Sequence, residues 1–228
     1  MDRGLYIAAS GMLSEMARQD LLANDLANSS TPGYKADRAE QRSFKDVLLT
    51  NTATGATVGP IGTGAFIARQ NTDLTPAPLK DTGQPLDFAV EGDGFFAVRT
   101  PQGVRYTRDG SFQAAANGDL VDQLGHQVLD QRGAPIKVAA DGTVPDTTVG
   151  VFALRNPAKA GDGLFTGTAA GKATGTARSG ALEGSGVDPA RAMIDMMTSL
   201  RAYESGQKAI QTIDTTLEQS ATKVGSTS

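Results

Sequence analysis

A chain of 228 residues with 20% charged side chains, net charge −4 and a pI near 5.0 is long enough for one or two cored domains and shows no basic footprint for nucleic acid. It has no Cys, which excludes disulfides, thiolate metal sites and cysteine nucleophiles, and it has no Trp. Its 27 Gly favour turns, short strands and loops.

The opening MDRGLYIAASGML lacks the charged region and long apolar core of a secretory signal. No apolar run reaches the roughly 18 residues of a spanning helix. Residues 2–28 read as an amphipathic helix. Steps of four and three pick out Leu5, Ala9, Met12, Met16, Gln19, Ala23 and Leu26, and Leu13 and Leu22 widen the stripe. Asp2 can cap its start. Residues 29–33 stop it, with Pro32 and Gly33 suited to the central positions of a type II turn.

Residues 50–80 hold Thr, Gly, Pro and Ala with scattered apolar positions and look extended, with little core. Leu86, Phe88 and Val90 alternate as a half-buried strand. Beyond them Gly94, Gly103, Gly110, Gly118, Gly125, Gly133, Gly142 and Gly150 bracket strand-like runs at 95–99, 104–108, 120–121, 127–129 and 136–138. Turn pairs such as Asp109-Gly110 and Asn117-Gly118 flank these runs, so the spacing predicts antiparallel hairpins. Residues 157–186 read as a loose return toward the C-terminus that could pair with 50–80.

A second helix starts at Pro189, with Asp188 as its cap. Its stripe reads Met193, Met196, Leu200, Tyr203, Gln207, Ile210, Asp214, Leu217, Ala221 and Val224, broadened by Met197 and Ile213. Two long helices with Met-rich, partly polar seams are unstable alone, so they are expected to pair with each other and with neighbours. The plainer alternative is a helical layer covering a β domain in a monomer.

Signals of chemistry are sparse. Residues 167–172 miss the phosphate-loop pattern by one spacer and a Ser or Thr. No Gly-x-Ser-x-Gly elbow exists. His126 is the only histidine, which rules out a two-histidine metal site and reads best as an exposed turn residue. Glu91, Asp93, Asp141 and Asp162 lack the ligand density of a calcium loop and read as turn formers. No catalytic, cofactor-binding or metal residue is assigned, and no enzymatic activity is expected.

Three strings carry a family resemblance. ANDLANSSTPGYK (23–35), LDFAVEGDGFFAVRTPQGVRYTRDGSF (86–112) and LEGSGVDPARAMIDMMTSLRAYESGQKAIQTID (182–214) resemble, in order, segments of the bacterial flagellar rod and hook proteins, nearest the FlgF/FlgG rod type. The signature positions are Asn24, Leu26, Ala27, Asn28, Thr31, Pro32, Gly33 and Tyr34, and Asp25 stands where the family usually has Asn. FKDVLL (44–49) and IGTG (61–64) look closer to the distal than the proximal rod type.

The resemblance implies an α+β chain: a discontinuous coiled-coil domain from the terminal helices and a central antiparallel β domain. The expected boundaries are 1–35 for the N-terminal helix and turn, 36–78 for an extended link, 79–171 for the β domain, 172–186 for a return linker and 187–228 for the C-terminal helix. It implies a structural subunit of the basal-body rod, polymerising helically into a drive shaft from motor to hook. Assembly would use the seam residues Leu5, Met12, Met16, Leu22, Leu26, Met193, Met196, Leu200, Tyr203, Ile210 and Leu217. Partners would be further copies, other rod and hook proteins, the flagellar export apparatus and, at the envelope, peptidoglycan or ring proteins. The chain would leave the cytoplasm without a cleaved signal and reside in the basal body. Competing readings are another helically assembling envelope or tail-tube protein, or a cell-wall-active enzyme.

Overall fold

The computed structural model describes residues 2–43, 47–50, 57–61 and 64–225. In chain order they form α1 (Asp2–Ala27), β1 (Asp37–Ser43), β2 (Val47–Thr50), β3 (Thr57–Ile61), β4 (Ala65–Thr72), β5 (Leu79–Asp81), β6 (Phe88–Glu91), β7 (Phe95–Thr100), β8 (Gly103–Thr107), β9 (Gln113–Ala114), β10 (Leu120–Val121), β11 (Gln127–Leu129), β12 (Val151–Gly161), β13 (Leu164–Lys172), β14 (Thr176–Ser179), β15 (Ala181–Glu183) and α2 (Pro189–Gly225). Terminal helices thus bracket a central antiparallel β region in an α+β chain. The chain divides into two compact units, one of Met1–Leu26, Asp37–Asn71 and Pro189–Ser228, the other of Ala27–Ala36 and Thr72–Asp188. No helix of the described residues is long and apolar enough to cross a membrane.

In the first unit α1 and α2 run antiparallel. Gly4 lies against Ile213, Met12 against Gly206, and Glu15 bonds Ser199. Residues 36–78, expected as an extended link, contain β1 paired with β4 and β2 antiparallel to β3. Side chains tie β1 to α1. The Gln41 amide donates to Ser14 Oγ at 2.7 Å, and Asp25 Oδ1 accepts the Asp37 N–H at 3.3 Å. The Asp2 cap, the Val224 position, the whole 44–49 string and residues 61–63 of the 61–64 string fall outside the described side chains.

The second unit is built on a sheet in the order β12-β13-β8-β7-β11-β10-β9. Strand β12 also returns to β7 through Val151↔Phe96 and Phe152↔Phe95, closing β7, β8, β13 and β12 into a ring. One edge of β7 is therefore shared, with β12 covering its start and β11 covering Ala97, Val98 and Arg99. This explains why FFAV is a continuous apolar run: β7 is buried on both faces. Phe96 and Val98 join Phe88, Leu120, Val128 and Val151 in one core, and Phe95 and Ala97 join Tyr106, Leu129 and Phe165 in another. Each large side chain removed from water contributes about 1.5–3 kcal/mol. Phe96 meets Phe112 edge-on at 5.3 Å, and Phe95 meets Phe165 at 5.2 Å.

Several sequence expectations shift here. Phe88, Ala89 and Val90 are all buried, because β14 covers the edge of β6 and side chains fill both faces. Residues 136–138 form only single bridges, Asp119↔Lys137 and, one residue before the run, Leu129↔Pro135. The stretch read as a loose return holds most of the long β12–β13 hairpin, whose register shifts at several bulges. Small residues there disguised a strand pair, since Gly and Ala carry little β signal. Residues 172–186 hold β14, paired with β6, and β15, paired with β5. The β15–β5 pair, Leu182↔Lys80 and Glu183↔Leu79, is where 157–186 meets the end of 50–80.

Candidate assembly surface and signature cluster

On α2 the side facing α1 carries Ala192, Met196, Ser199, Tyr203, Gly206, Ile210, Ile213 and Leu217, all buried or half-buried at steps of four and three. Met196, Tyr203, Ile210 and Leu217 were expected in a seam, but the alternate positions lie one residue away from those expected. Ala192, Ser199, Gly206 and Ile213 face α1, whereas Gln207 and Asp214 are exposed, as are Met193 and Leu200, at 50% and 47%. Small residues let the helix backbones approach. A Cβ at Gly206 would stand 2.7 Å from Met12 Cγ, and Ser199 Oγ donates to the Glu15 carbonyl at 3.1 Å and its carboxylate at 2.7 Å. On α1, Leu5, Met12, Leu22 and Leu26 are half-buried and Met16 is exposed. Large apolar side chains are thus left outward: Tyr6, Leu13 and Met16 on α1, and Met193, Ile194, Met197 and Leu200 on α2.

The signature loop belongs to the second unit. The Tyr34 N–H reaches the Thr31 carbonyl at 3.3 Å across Pro32 and Gly33, and Gly33 has φ +65°, as the turn requires. Gly33 is also pressed onto Arg108, where any Cβ would lie 2.3 Å from the carbonyl carbon. Two residues on, Lys35 is buried and donates to Glu183 Oε1 at 2.6 Å and the Thr75 carbonyl at 2.8 Å. Arg108, also buried, donates from Nη1 to Glu183 Oε2 at 2.9 Å and from Nη2 to the Gly92 carbonyl at 3.0 Å, with its guanidinium 5.2 Å from the Phe95 ring centre. The Ala77 N–H adds a third donor to Glu183, at 2.8 Å. Burial pulls the Lys35 amine below its usual pKa, against the opposing pull of Glu183. Sequence reasoning missed this trio. Charges 75 and 148 residues apart leave no local pattern, although each of the three family strings supplies one member.

The remaining candidates serve the turns. His126 is half-buried, and its Nδ1 lies 2.9 Å from Asp122 Oδ2, while Asp122 Oδ1 accepts the Leu124 and His126 N–H groups. It borders an open depression whose one lining hydroxyl, Thr100, donates to the Gly103 carbonyl at 2.8 Å. Asp141 accepts from the Thr143 N–H and hydroxyl, which hold its carboxyl below the usual range. Glu91 pairs with Arg178 at 3.2 Å. Among the described residues no cluster of His, Cys, Asp or Glu is arranged to hold a metal.

Family models match along the chain: flagella basal body rod protein at residues 5–35, flagellar hook protein FlgE/F/G D1 domain at 89–151, and flagellar basal body rod FlgEFG protein C-terminal at 178–223. The flagellar basal-body rod protein FlgG of Bacillus subtilis is 30% identical over 96% of this chain and 98% of its own length. FlgG of Borreliella burgdorferi is 34% identical over 95% and 97%, and FlgF of Salmonella typhimurium 33% over 94% and 95%. The helices, the signature turn and the β unit all fall within these matches, and the chain belongs to the family of flagellar basal-body rod proteins.

Proposed function

We propose that this chain is a structural subunit of the flagellar basal-body rod, and that it polymerises helically into the shaft carrying motor torque to the hook. The observation that carries this reading is the outward apolar face of the helix pair: Tyr6, Leu13, Met16, Met193, Ile194, Met197 and Leu200. Covering each such side chain in a neighbour's seam contributes up to about 1.5–3 kcal/mol. Repeated along a filament, such contacts resist shear without a catalytic group. Contacts between unlike faces extend rather than close, which suits a shaft. Partners are further copies and other rod or hook proteins, delivered by the flagellar export apparatus to the basal body. The strings 44–49 and 61–64 favour the distal section, and a deletion strain that stops assembly before the distal rod would agree.

Leu13→Asp and Leu200→Asp test the assembly face. Both side chains are exposed in the subunit, so unfolding free energy should move by about 0.5 kcal/mol or less. Incorporation into rods and swimming should be lost. Normal swimming of both variants would sink the proposal.

A further inference from the structure

The buried charges join parts of the chain that are remote in sequence. Lys35 follows the signature turn, Arg108 follows β8, and Glu183 ends β15. Backbone bonds repeat the join. The Gly33 N–H donates to the Glu183 carbonyl at 2.9 Å and the Gly186 N–H to the Tyr34 carbonyl at 2.8 Å. Ser185 Oγ donates to the Asn28 carbonyl at 2.9 Å. The chain leaving α1 and the chain entering α2 are therefore bonded side by side, within the second unit.

We propose that Lys35, Glu183 and Arg108 form a latch that folds with the β unit and holds the two helix roots, 28–36 and 183–187, together before the helices pair. Closing a loop of this length has an entropic cost that grows with the logarithm of its length. The β unit's cores, not the helix seam, offset that cost. With the roots held, α1 and α2 meet at high effective concentration, and a seam that mixes small with apolar residues suffices. The charges make the join selective. Glu183 accepts three donors, and a misplaced loop would leave buried cations without their carboxylate, a far larger penalty than a lost apolar contact. The lowered Lys35 pKa agrees, because its amine is desolvated rather than held in water. The latch concerns the free subunit and stands whether or not the outward helix faces bind further copies.

Hydrogen exchange on the dilute full-length chain tests it. In the wild type, the Gly33 and Gly186 amides should be protected like those of Phe88 and Leu120, and far beyond those of the helices. Glu183→Gln should reduce protection of Gly33 and Gly186 by about tenfold or more relative to Phe88 and Leu120, as expected for a lost charge-assisted bond. If that variant fails to fold, Lys35→Met supplies the same comparison with Glu183 still paired to Arg108. Arg178→Ala, which removes the exposed pairs to Asp81 and Glu91, should leave the roots unchanged. The latch is overturned if Gly33 and Gly186 exchange freely in the wild type. It is equally overturned if the roots and the strands lose protection in parallel, or if neither variant moves the roots.

Discussion

Phe88, Phe96, Leu120 and Val128 are wholly buried in the β unit, whereas Tyr6, Leu13, Met193 and Met197 on the helices stand 62%, 63%, 50% and 53% exposed. The β unit completes its cores with one chain. The helix pair turns Ala192, Ser199 and Gly206 inward beside Met196, Tyr203, Ile210, Ile213 and Leu217, and leaves a second set of large apolar residues outward, unlike an ordinary amphipathic helix that buries its apolar face in its own core. Its inner seam brings the backbones close at Gly206, and its outer face stands in solvent. One chain thus carries a unit with closed apolar cores and a pair of helices that leaves large apolar side chains exposed.

Glycines expose this difference most sharply. Gly110 accepts the Phe88 N–H at 2.9 Å, and an added Cβ would sit 1.6 Å from the Phe88 carbonyl oxygen. Both atoms belong to a packed strand margin, so neither can yield cheaply. Gly110→Ala should destabilise the β unit by about 4 kcal/mol or more, the range reserved for direct core or backbone disruption. Urea unfolding followed by Tyr fluorescence would measure it. A shift under about 1 kcal/mol would mean that β6 is looser than its burial implies.

Gly206 is the counterpart on the helices. A Cβ there meets Met12 Cγ, the flexible part of a side chain, at 2.7 Å. Alanine at this position would be tolerated, since Met can swing and Ala favours helix by about 1 kcal/mol over Gly. Leucine is too large. Gly206→Leu should part the helices and weaken their pairing by about 1–3 kcal/mol, with the β unit's urea midpoint unmoved. Loss of exchange protection confined to 2–26 and 189–225 is the expected pattern. Loss spreading equally into β7 would show that the two units do not unfold separately.

The helices, their start at Pro189 and the turn at Pro32-Gly33 were legible, because caps, periodicity and turn chemistry are local. So were strands β7, β8, β10 and β11, marked by regular Gly-bounded runs. The expected α2 series steps from Met193 and Leu200 on to Gln207 and Asp214, whereas the positions facing α1 lie one residue earlier, and Ile213, read only as broadening the stripe, is one of them. The close helix approach instead selects Ala192, Ser199 and Gly206. The β12–β13 hairpin was read partly as linker because its exposed face is built of Gly, Ala, Thr and Lys. The Lys35–Glu183–Arg108 trio was invisible in principle. Charged residues are read as solvent-facing unless a partner is known, and here the three come from the N-terminal, central and C-terminal parts of the chain.

The smallest effect separates the buried latch from the β unit's partly exposed charge cluster. Asp119 Oδ1 accepts Lys137 Nζ at 2.8 Å, and Oδ2 accepts the Asn117 and Gln127 amides at 2.8 Å each. The Lys137 bond is the main cause that holds the Asp119 carboxyl below its usual value of 3.8, with the Gln127 bond also lowering it and burial opposing. A carboxyl depressed on folding contributes stability that is complete above the unfolded pKa and is lost as pH falls through the lower, folded value. Asp119→Asn should therefore be most destabilising near neutrality. The gap from wild type should begin to close below pH 3.8 and vanish once the pH lies under the depressed value. Lys137 is 72% exposed, so salt near 1 M should narrow its part of the gap while leaving the two amide bonds in place. Glu183→Gln, whose partners are buried, should show little such salt dependence. Urea midpoints across pH and salt for both variants would check this, and a salt response as large for Glu183 as for Asp119 would place the latch in water rather than in the core.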